Sequence, residues 1–319
     1  MKISILNNLL INSTLYNFFS NIYSNKIPNN LICNDNYLNF LEVKNKYLSA
    51  YSLPLSNINN FNYTGIKILN MKYIDDKACL VHFYIKFQTI KDKKINSTSF
   101  NRALLCKYYN KWLIYCIYDD LFDENIINFS QDLCYIKNLT NLFLNSLIKR
   151  YENLILNLYT IPNLSRNDTF NLNKTRNILY NSNKAVFYAE KYALNYNDEY
   201  QSFDKNGGDC TNFVSQVIHY GGIPLSSTWS PYKNSWIRVN ELYSYLIYNK
   251  IAKETNNLSP GSIIQFFSPE RKTWTHSGII TYTLNNDCLY CCHSYNKLNY
   301  PLSYMYPDIY PKIRILSIN

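Results

Sequence analysis

The stretch from residue 207 to residue 224 constrains the fold more than any other part of this sequence. It reads GGDCTNFVSQVIHYGGIP. The first two glycines permit a sharp turn, and Asp209 is a residue type that is favoured as a helix cap. Apolar residues then recur at helical spacing until Gly221 and Gly222 stop the helix. The pattern therefore predicts a loop that delivers Cys210 to the start of a short helix.

Cys210 is consequently a candidate nucleophile. A thiol at a helix N-terminus feels the positive end of the peptide dipoles, which favours the thiolate that attacks carbonyl carbon. The alternative is a buried cysteine in a structural helix, because free cysteine is commonly a core residue. The catalytic interpretation requires a base that accepts the thiol proton.

The sequence offers four histidines as that base. His82 lies far upstream, in what reads as another domain. His219 follows Cys210 by nine residues (219 − 210) on the same predicted helix, which puts it roughly 13 Å along the axis and out of reach. His276 and His293 remain. We expect His276 to be the base and His293 to orient it.

The arrangement of these two histidines depends on the register of a predicted hairpin. His276 begins one apolar and β-branched run, His293 ends the next, and Asn285 and Asn286 lie between the two runs. If these asparagines form a two-residue turn, Gly278 lies opposite His293 and both histidines share one face. A three-residue turn would move His293 to the other face. The expected triad therefore carries a register prediction.

Five motifs follow one another in the second half of the chain. They are AVFYAEKYAL at 185–194, DCTNFVSQ at 209–216, GGIP at 221–224, SW at 235–236 and WTHSGI at 274–279. In this order they resemble the bacterial "Putative amidase domain" of the papain-like cysteine hydrolase superfamily, over roughly residues 180–319. The resemblance implies a Cys–His enzyme, related to CHAP and other cell-wall peptidases, that hydrolyses amide bonds.

The same resemblance implies a fold and a site. In that superfamily the cysteine begins a helix that packs on an antiparallel sheet, and the histidine opens a central strand, so the expected fold class is α+β and papain-like. The third member of such triads varies, which makes Asn296 an alternative to His293. The implied substrate is a peptidoglycan or peptide amide, and a cell-wall or extracellular location is suggested.

The sequence thus predicts a cysteine-dependent amide hydrolase that works through a thioester and needs no cofactor. Asp209 is expected to cap the helix and not to act as a base, while the backbone N–H of Cys210 helps to hold the oxyanion. Two other classes stay open. One is a non-catalytic cell-wall-binding module, and the other is an acyltransferase or transglutaminase-like enzyme, because a thioester can pass to an amine as well as to water.

Three tryptophans are expected to contribute to substrate binding, namely Trp229, Trp236 and Trp274. Aromatic loops beside a cysteine nucleophile commonly line a groove for a sugar or a peptide. The alternative for Trp229 and Trp236 is that they lock down the irregular segment 225–239 in which they lie.

The region before residue 130 is predicted to form a separate, smaller α+β domain. Helical patterns within residues 9–51 precede four strand-like runs at 66–73, 77–90, 102–109 and 111–119. This layout is similar to cystatin-like or nuclear-transport-factor-like domains, which implies either a substrate-presenting module or a structural appendage. A long amphipathic helix within 132–158 and a polar linker at 160–177 follow. The predicted domains are 1–130, a connecting helix and linker at 131–179, and 180–319.

The composition limits the possible partners. A net charge of +10 suggests an anionic partner, and an anionic bacterial wall fits it. The lysines and arginines are scattered and no nucleic-acid motif is present, so we expect no nucleic-acid binding. No apolar stretch of about 18 residues indicates a transmembrane segment, and the start of the chain does not read as a signal peptide. The oligomeric state stays open.

The chain has nine cysteines, an odd number without framework spacing, so we expect free thiols and no disulfide scaffold. Cys288, Cys291 and His293 have the spacing of half a zinc site. No second Cys or His pair accompanies them at ligand spacing. We therefore expect no metal and interpret these cysteines as strand residues.

Overall fold

The fold is α+β, as predicted, with antiparallel sheets and helices. The computed structural model describes residues 2–50, 61–89, 95–119, 132–156, 180–283 and 287–319. The chain divides into two compact units, Met1–Thr160 and Ile161–Asn319. The linker predicted at 160–177 lies outside the described residues. Within the described residues, no helix is both long and apolar enough to cross a bilayer.

The first unit consists of two helices, four strands in antiparallel order β1-β2-β3-β4, and a third helix. The elements are α1 (Lys2–Ile22), α2 (Asp35–Ala50), β1 (Phe61–Asp75), β2 (Ala78–Thr89), β3 (Asn96–Tyr108), β4 (Lys111–Tyr118) and α3 (Leu133–Leu156). Phe83, Ile85 and Phe87 of β2 are buried at alternate positions, as one face of a strand requires. Phe19 of α1 packs on Phe83 with ring centroids 5.6 Å apart. The predicted helices-then-strands layout is therefore present.

Helix α3 is part of the core of this unit. Tyr151 is fully buried and meets Phe40 and Tyr47 of α2, with ring centroids 5.9 and 5.3 Å apart. Thr140 of α3 lies 2.9 Å from the hydroxyl of Tyr118 on β4. The predicted long helix thus forms with an apolar face that packs onto α2. The domain boundaries at 130 and 180, and the likeness to cystatin-like domains, stay predictions.

The second unit consists of four helices and a sheet of antiparallel pairs in the order β9-β8-β7-β6-β10-β5. The helices are α4 (Ser182–Tyr192), α5 (Cys210–Tyr220), α6 (Asn234–Ile237) and α7 (Val239–Tyr248). The strands are β5 (Ala252–Thr255), β6 (Ile263–Ser268), β7 (Thr273–Thr283), β8 (Cys288–Cys292), β9 (Lys297–Pro301) and β10 (Lys312–Ile318).

Helix α5 lies in the core of the second unit. Its apolar residues pack with Ala185 and Ala189 of α4 and with Ile263 and Ile279 of the sheet. At its C-terminal end a Cβ on Gly221 would meet the ring of Tyr180 at 2.4 Å, so only glycine allows this approach. The hydroxyl of Tyr180 also donates to the carbonyl of Gly261 at 2.7 Å. The start of this unit is therefore packed tightly against the end of α5.

The β7–β8 hairpin begins in the predicted register and then departs from it. The first pairs are Thr283 with Cys288 and Tyr282 with Leu289, and after a bulge they are Ile280 with Tyr290 and Ile279 with Cys291. The bulge places one extra residue, Thr281, on β7, and its hydroxyl donates to the carbonyl of Leu289 at 3.1 Å. The register therefore shifts by one residue. The predicted position of Gly278 opposite His293 is wrong.

Candidate active site

Cys210 is the first residue of α5, as predicted. The preceding loop turns through Gly207 and Gly208, whose φ angles are 99° and 103°. A Cβ on Gly208 would meet Oγ of Ser294 at 3.0 Å. The loop therefore needs glycine both for its left-handed backbone and for its close approach to the turn that follows β8.

The Cys210 thiol lies against β7 and is only 7% exposed. Its Sγ is 3.8 Å from the hydroxyl of Thr211 and 4.0 Å from the carbonyl oxygen of Thr275. Burial raises the pKa of this thiol, although hydrogen bonds from Thr211 and from the backbone of Ser277 oppose the rise. Burial therefore favours the neutral thiol over the expected thiolate in this conformation.

Asp209 does not cap α5, which corrects the prediction. Its carboxylate is fully buried. Oδ1 accepts from the backbone N–H of Phe203 at 2.8 Å and from the amide of Asn212 at 2.9 Å. Oδ2 lies 2.6 Å from Nδ1 of His293. These partners turn the side chain away from the helix end, so the carboxylate instead joins the preceding loop, α5 and the end of β8.

His293 is held between α4 and α5. Nδ1 faces the carboxylate of Asp209, and Nε2 lies 2.8 Å from the carbonyl oxygen of Tyr192. Both ring nitrogens therefore face acceptor oxygens. The ring stacks between Tyr196 and Phe213, with centroids 4.0 and 4.2 Å away. These contacts join the end of α4 to the start of α5.

The expected orientation of His276 by His293 is not present. Both ring nitrogens of His293 are used by Asp209 and Tyr192. The physical reason is the bulge at Thr281, which moves His293 to the α5 side of the sheet. Asn296, the alternative third member, accepts instead from the hydroxyl of Tyr196 at 3.1 Å.

His276 is buried, with 4% exposure. Its ring packs against Phe266, Tyr295 and Tyr310, and its Nε2 has no hydrogen-bond partner among the described residues. Burial, with a smaller effect from the charge of Lys297, lowers the pKa of His276 to about 3. The imidazole is therefore neutral at neutral pH.

The structure brings Cys210 to the strand that carries His276, but not into a hydrogen bond with this histidine. Oγ of Ser277 lies 3.5 Å from the hydroxyl of Thr211, so Ser277 faces α5. Because side chains alternate along a strand, the ring of His276 leaves β7 on the other face. In the part of the chain that the structure describes, no hydrogen bond joins Sγ of Cys210 to this imidazole.

Other polar residues of the DCTNFVSQ motif form buried bonds that sequence reasoning missed. Oδ1 of Asn212 accepts from the indole N–H of Trp236 at 2.8 Å. The hydroxyl of Ser215 donates to the carbonyl of Trp236 at 2.8 Å. Gln216 accepts from the hydroxyl of Tyr188 at 3.0 Å. Their signal in the sequence is polar residues repeated every three or four positions in an otherwise apolar helix.

Trp229 and Trp236 are not available to a substrate, which corrects their assignment as binding residues. Both are 0% exposed, and their rings pack 4.7 Å apart within the core beside α5. They lock the 225–239 segment, the alternative considered from sequence. Trp274 is only half-buried and lies beside two cations, with the guanidinium of Arg314 4.2 Å and Nζ of Lys312 5.6 Å from its ring centre. Trp274 alone keeps the geometry of a binding residue.

The cysteine-rich strand β8 is buried. Cys288, Cys291 and Cys292 are all 0% exposed, and all nine cysteines of the chain are free thiols. Among the described residues, no group of three or more His, Cys, Asp or Glu side chains is arranged to hold a metal ion. Cys291 instead lies 3.6 Å from Oδ1 of Asn299 on the neighbouring strand.

Comparisons with known proteins cover part of the chain. The chain is 32% identical over 139 residues to "Uncharacterized protein YjcM" of Bacillus subtilis (strain 168), a match that covers 40% of this chain and 34% of the relative. It is 31% identical over 112 residues to "Uncharacterized protein YhbB" of the same organism, covering 30% of this chain and 35% of the relative. The chain thus spans about a third of the length of the curated relatives it matches.

No solved structure gives a significant match to the chain. A family model does match, and it covers all the residues described above for the site. Residues 179–316 match the family described as "Putative amidase domain".

Proposed function

We propose that residues 180–319 form a papain-like cysteine hydrolase domain that cleaves amide bonds, with Cys210 as the nucleophile and His276 as the base. The match of residues 179–316 to an amidase domain supports the reaction class. The observation that carries the assignment of residues is the contact between α5 and β7. Sγ of Cys210 lies 4.0 Å from the carbonyl oxygen of Thr275, the residue immediately before His276.

In this proposal the reaction begins from a neutral pair. The thiol of Cys210 gives its proton to the neutral imidazole of His276 as Sγ attacks the substrate carbonyl carbon. The imidazolium then gives that proton to the amine as the C–N bond breaks, which leaves a thioester. Water loses a proton to His276 and hydrolyses the thioester, and the thiol returns. The backbone N–H of Cys210 at the helix start supports the oxyanion.

The imidazole must move to reach Sγ. A second bulge supports such movement, because the ladder between β6 and β7 is interrupted between Phe266 and Phe267. Thr275 is the extra residue there, directly between Trp274 and His276. A substrate that contacts Trp274 can therefore act on the backbone beside the base. In this proposal, the described conformation, in which the imidazole does not reach Sγ, is a resting form of the enzyme.

Peptidoglycan is the proposed substrate, and the amide of its peptide is the proposed scissile bond. The net charge of +10 supports an anionic polymer, and Lys312 and Arg314 supply two cations beside Trp274.

A non-catalytic wall-binding module is the second candidate. The observation that favours it is the buried, protonated thiol of Cys210, which lacks a hydrogen bond to His276. The two candidates differ in one respect that can be measured, because only the hydrolase consumes its ligand.

The test is mass spectrometry of purified muropeptides after incubation with the wild-type chain and with Cys210→Ala. We expect new amine and carboxyl termini with the wild type and none with Cys210→Ala. Cys134→Ala is the control, because Cys134 is exposed and lies in the first unit. Retained cleavage by Cys210→Ala would exclude the thiol mechanism. Binding without cleavage by the wild type would favour the second candidate.

A further inference from the structure

The imidazole of His276 is surrounded by aromatic rings on several sides. Phe266 of β6 lies 5.5 Å away and Tyr310 6.3 Å away with nearly parallel planes, 11° apart. Tyr295 approaches edge-on, with centroids 6.1 Å apart and planes at 70°. Nε2 is enclosed here without a hydrogen-bond partner among the described residues. Packing must therefore set the orientation of this ring, a task that an acceptor side chain performs in hydrogen-bonded triads.

Tyr295 differs from the other two rings in its backbone. Its φ is 97°, a region that side-chain-bearing residues rarely adopt and that is an outlier for a bulky one. Such a conformation persists only where the surroundings force it, and it is found preferentially at functional sites. Glycine would occupy this position without strain. A tyrosine here indicates that its ring is used.

The residues on both sides of Tyr295 hold it in place. Oγ of Ser294 accepts from the backbone N–H of Asp209 at 2.5 Å. Oδ1 of Asn296 accepts from the hydroxyl of Tyr196 at 3.1 Å. The turn is thus fastened to the loop that delivers the nucleophile, while the ring between these two anchors points to the base.

We propose that Tyr295 is a positioning residue for His276, whose ring sets the resting orientation of the imidazole and keeps water from it. The proposal rests on the function proposed above, in which His276 is the base. Because Nε2 is enclosed, Nδ1 is the nitrogen left to accept the thiol proton.

The titratable groups that face His276 come from three segments. They are Tyr295 on the turn after β8, Lys297 on β9 and Tyr310 before β10. The ammonium of Lys297 lies 5.8 Å from the ring centre of Tyr295 and disfavours a second cation nearby. Removal of the Tyr295 ring would admit water to His276 and leave Lys297 in place. The pKa of His276 then shows whether the Tyr295 ring excludes water from the imidazole.

The test follows the imidazole Hε1 protons of the four histidines by NMR in the full chain between pH 4.5 and 8. In the wild type we expect the His276 signal to stay constant, since its pKa is about 3. In Tyr295→Gly, hydration should bring its titration midpoint up by about 1.5 pH units or more, into the measured range. Tyr295→Phe keeps the ring and should behave as the wild type.

Tyr109→Gly is the matched control, because Tyr109 also has a positive φ, 53°, but is fully exposed in the first unit. It should leave the His276 signal unchanged. An unshifted His276 in Tyr295→Gly, or an equal shift in Tyr295→Phe, would overturn the positioning role. The NMR titration needs no turnover, so it is independent of the muropeptide test. If Cys210→Ala still cleaved muropeptides, the proposed function would be wrong, but the titration result would stand.

Discussion

Cys210 and His276 are both neutral in this structure, and burial is the main cause for each. A cysteine hydrolase can work from an ion pair or from such a neutral pair, in which the proton moves during attack. The neutral pair gives a thiol that resists reagents until a substrate alters the site. The two residues therefore make separate predictions about labelling and about stability.

Alkylation of Cys210 by iodoacetamide should be slow at neutral pH. Because the pKa of this thiol is raised above its ordinary value of 9.0, the labelling rate should climb about tenfold per pH unit from pH 7 to 9, without a plateau. Mass spectrometry of peptides measures the rate, with exposed Cys134 as the internal control. A plateau near pH 6 would instead indicate a thiolate and contradict the buried thiol.

The buried imidazole predicts acid sensitivity of the second unit. The pKa of His276 falls from 6.5 to about 3 on folding, so its contribution to stability is present above pH 6.5 and is lost as the pH falls towards 3. Relative to His276→Phe, the wild type should lose on the order of 4 kcal/mol across that window. Urea unfolding at pH 7, 6, 5 and 4 measures the loss.

The contribution of Asp287 to stability depends on pH in the opposite direction. Burial raises the pKa of Asp287 to about 6, so this contribution is lost as the pH rises through that value. Asp287 is present in both the wild type and His276→Phe, so its contribution cancels in the difference between their free energies of unfolding. Parallel curves for the wild type and His276→Phe would show that His276 is not buried as described.

At the scale of elements, local pattern was sufficient for α5 and α3, whose apolar periodicity is contiguous in sequence. It was not sufficient for the β7–β8 register, because the bulge depends on a bond between the hydroxyl of Thr281 and a carbonyl on the other strand. The hydrogen-bond partners of Asp209 could not be predicted from local pattern either, since His293 lies 84 positions away. The position of Cys210 at the start of α5 could be predicted, but the hydrogen bonds around it could not.

The Asp209–His293 pair should hold α4 and α5 together. Removing His293 would leave Oδ2 of the buried Asp209 side chain without this partner, so His293→Gln should destabilise the second unit by about 1–3 kcal/mol. Urea unfolding followed by tryptophan fluorescence measures this, since Trp229, Trp236 and Trp274 all lie there. Asp209→Asn and the double variant complete a cycle. Additive losses would mean that the two side chains do not interact.

At the scale of the whole molecule, positive charge is spread over both units, with 32 lysines and arginines against 22 acidic residues. Such a charge acts on a polyanion through the summed field and is screened by salt. The chain matches about a third of each curated relative, so this prediction concerns the present sequence alone.

Binding to purified peptidoglycan sacculi should therefore weaken with ionic strength. Cys210→Ala is the protein to use, because cleavage would remove the ligand during the assay. We expect the fraction that co-sediments to fall several-fold between about 50 and 500 mM NaCl, as the Debye length shortens to a few Å. Sacculi stripped of anionic polymers provide the comparison. If binding did not change with salt, the prediction would be wrong, and contacts between uncharged groups would account for the binding.

Tyr180 meets Gly221 and Gly261 at the first described position of the second unit. A gene fragment that begins a few codons downstream would lack Tyr180. Loss of this ring would expose the C-terminal end of α5 to solvent. Anyone who expresses the second unit separately should start upstream of residue 180.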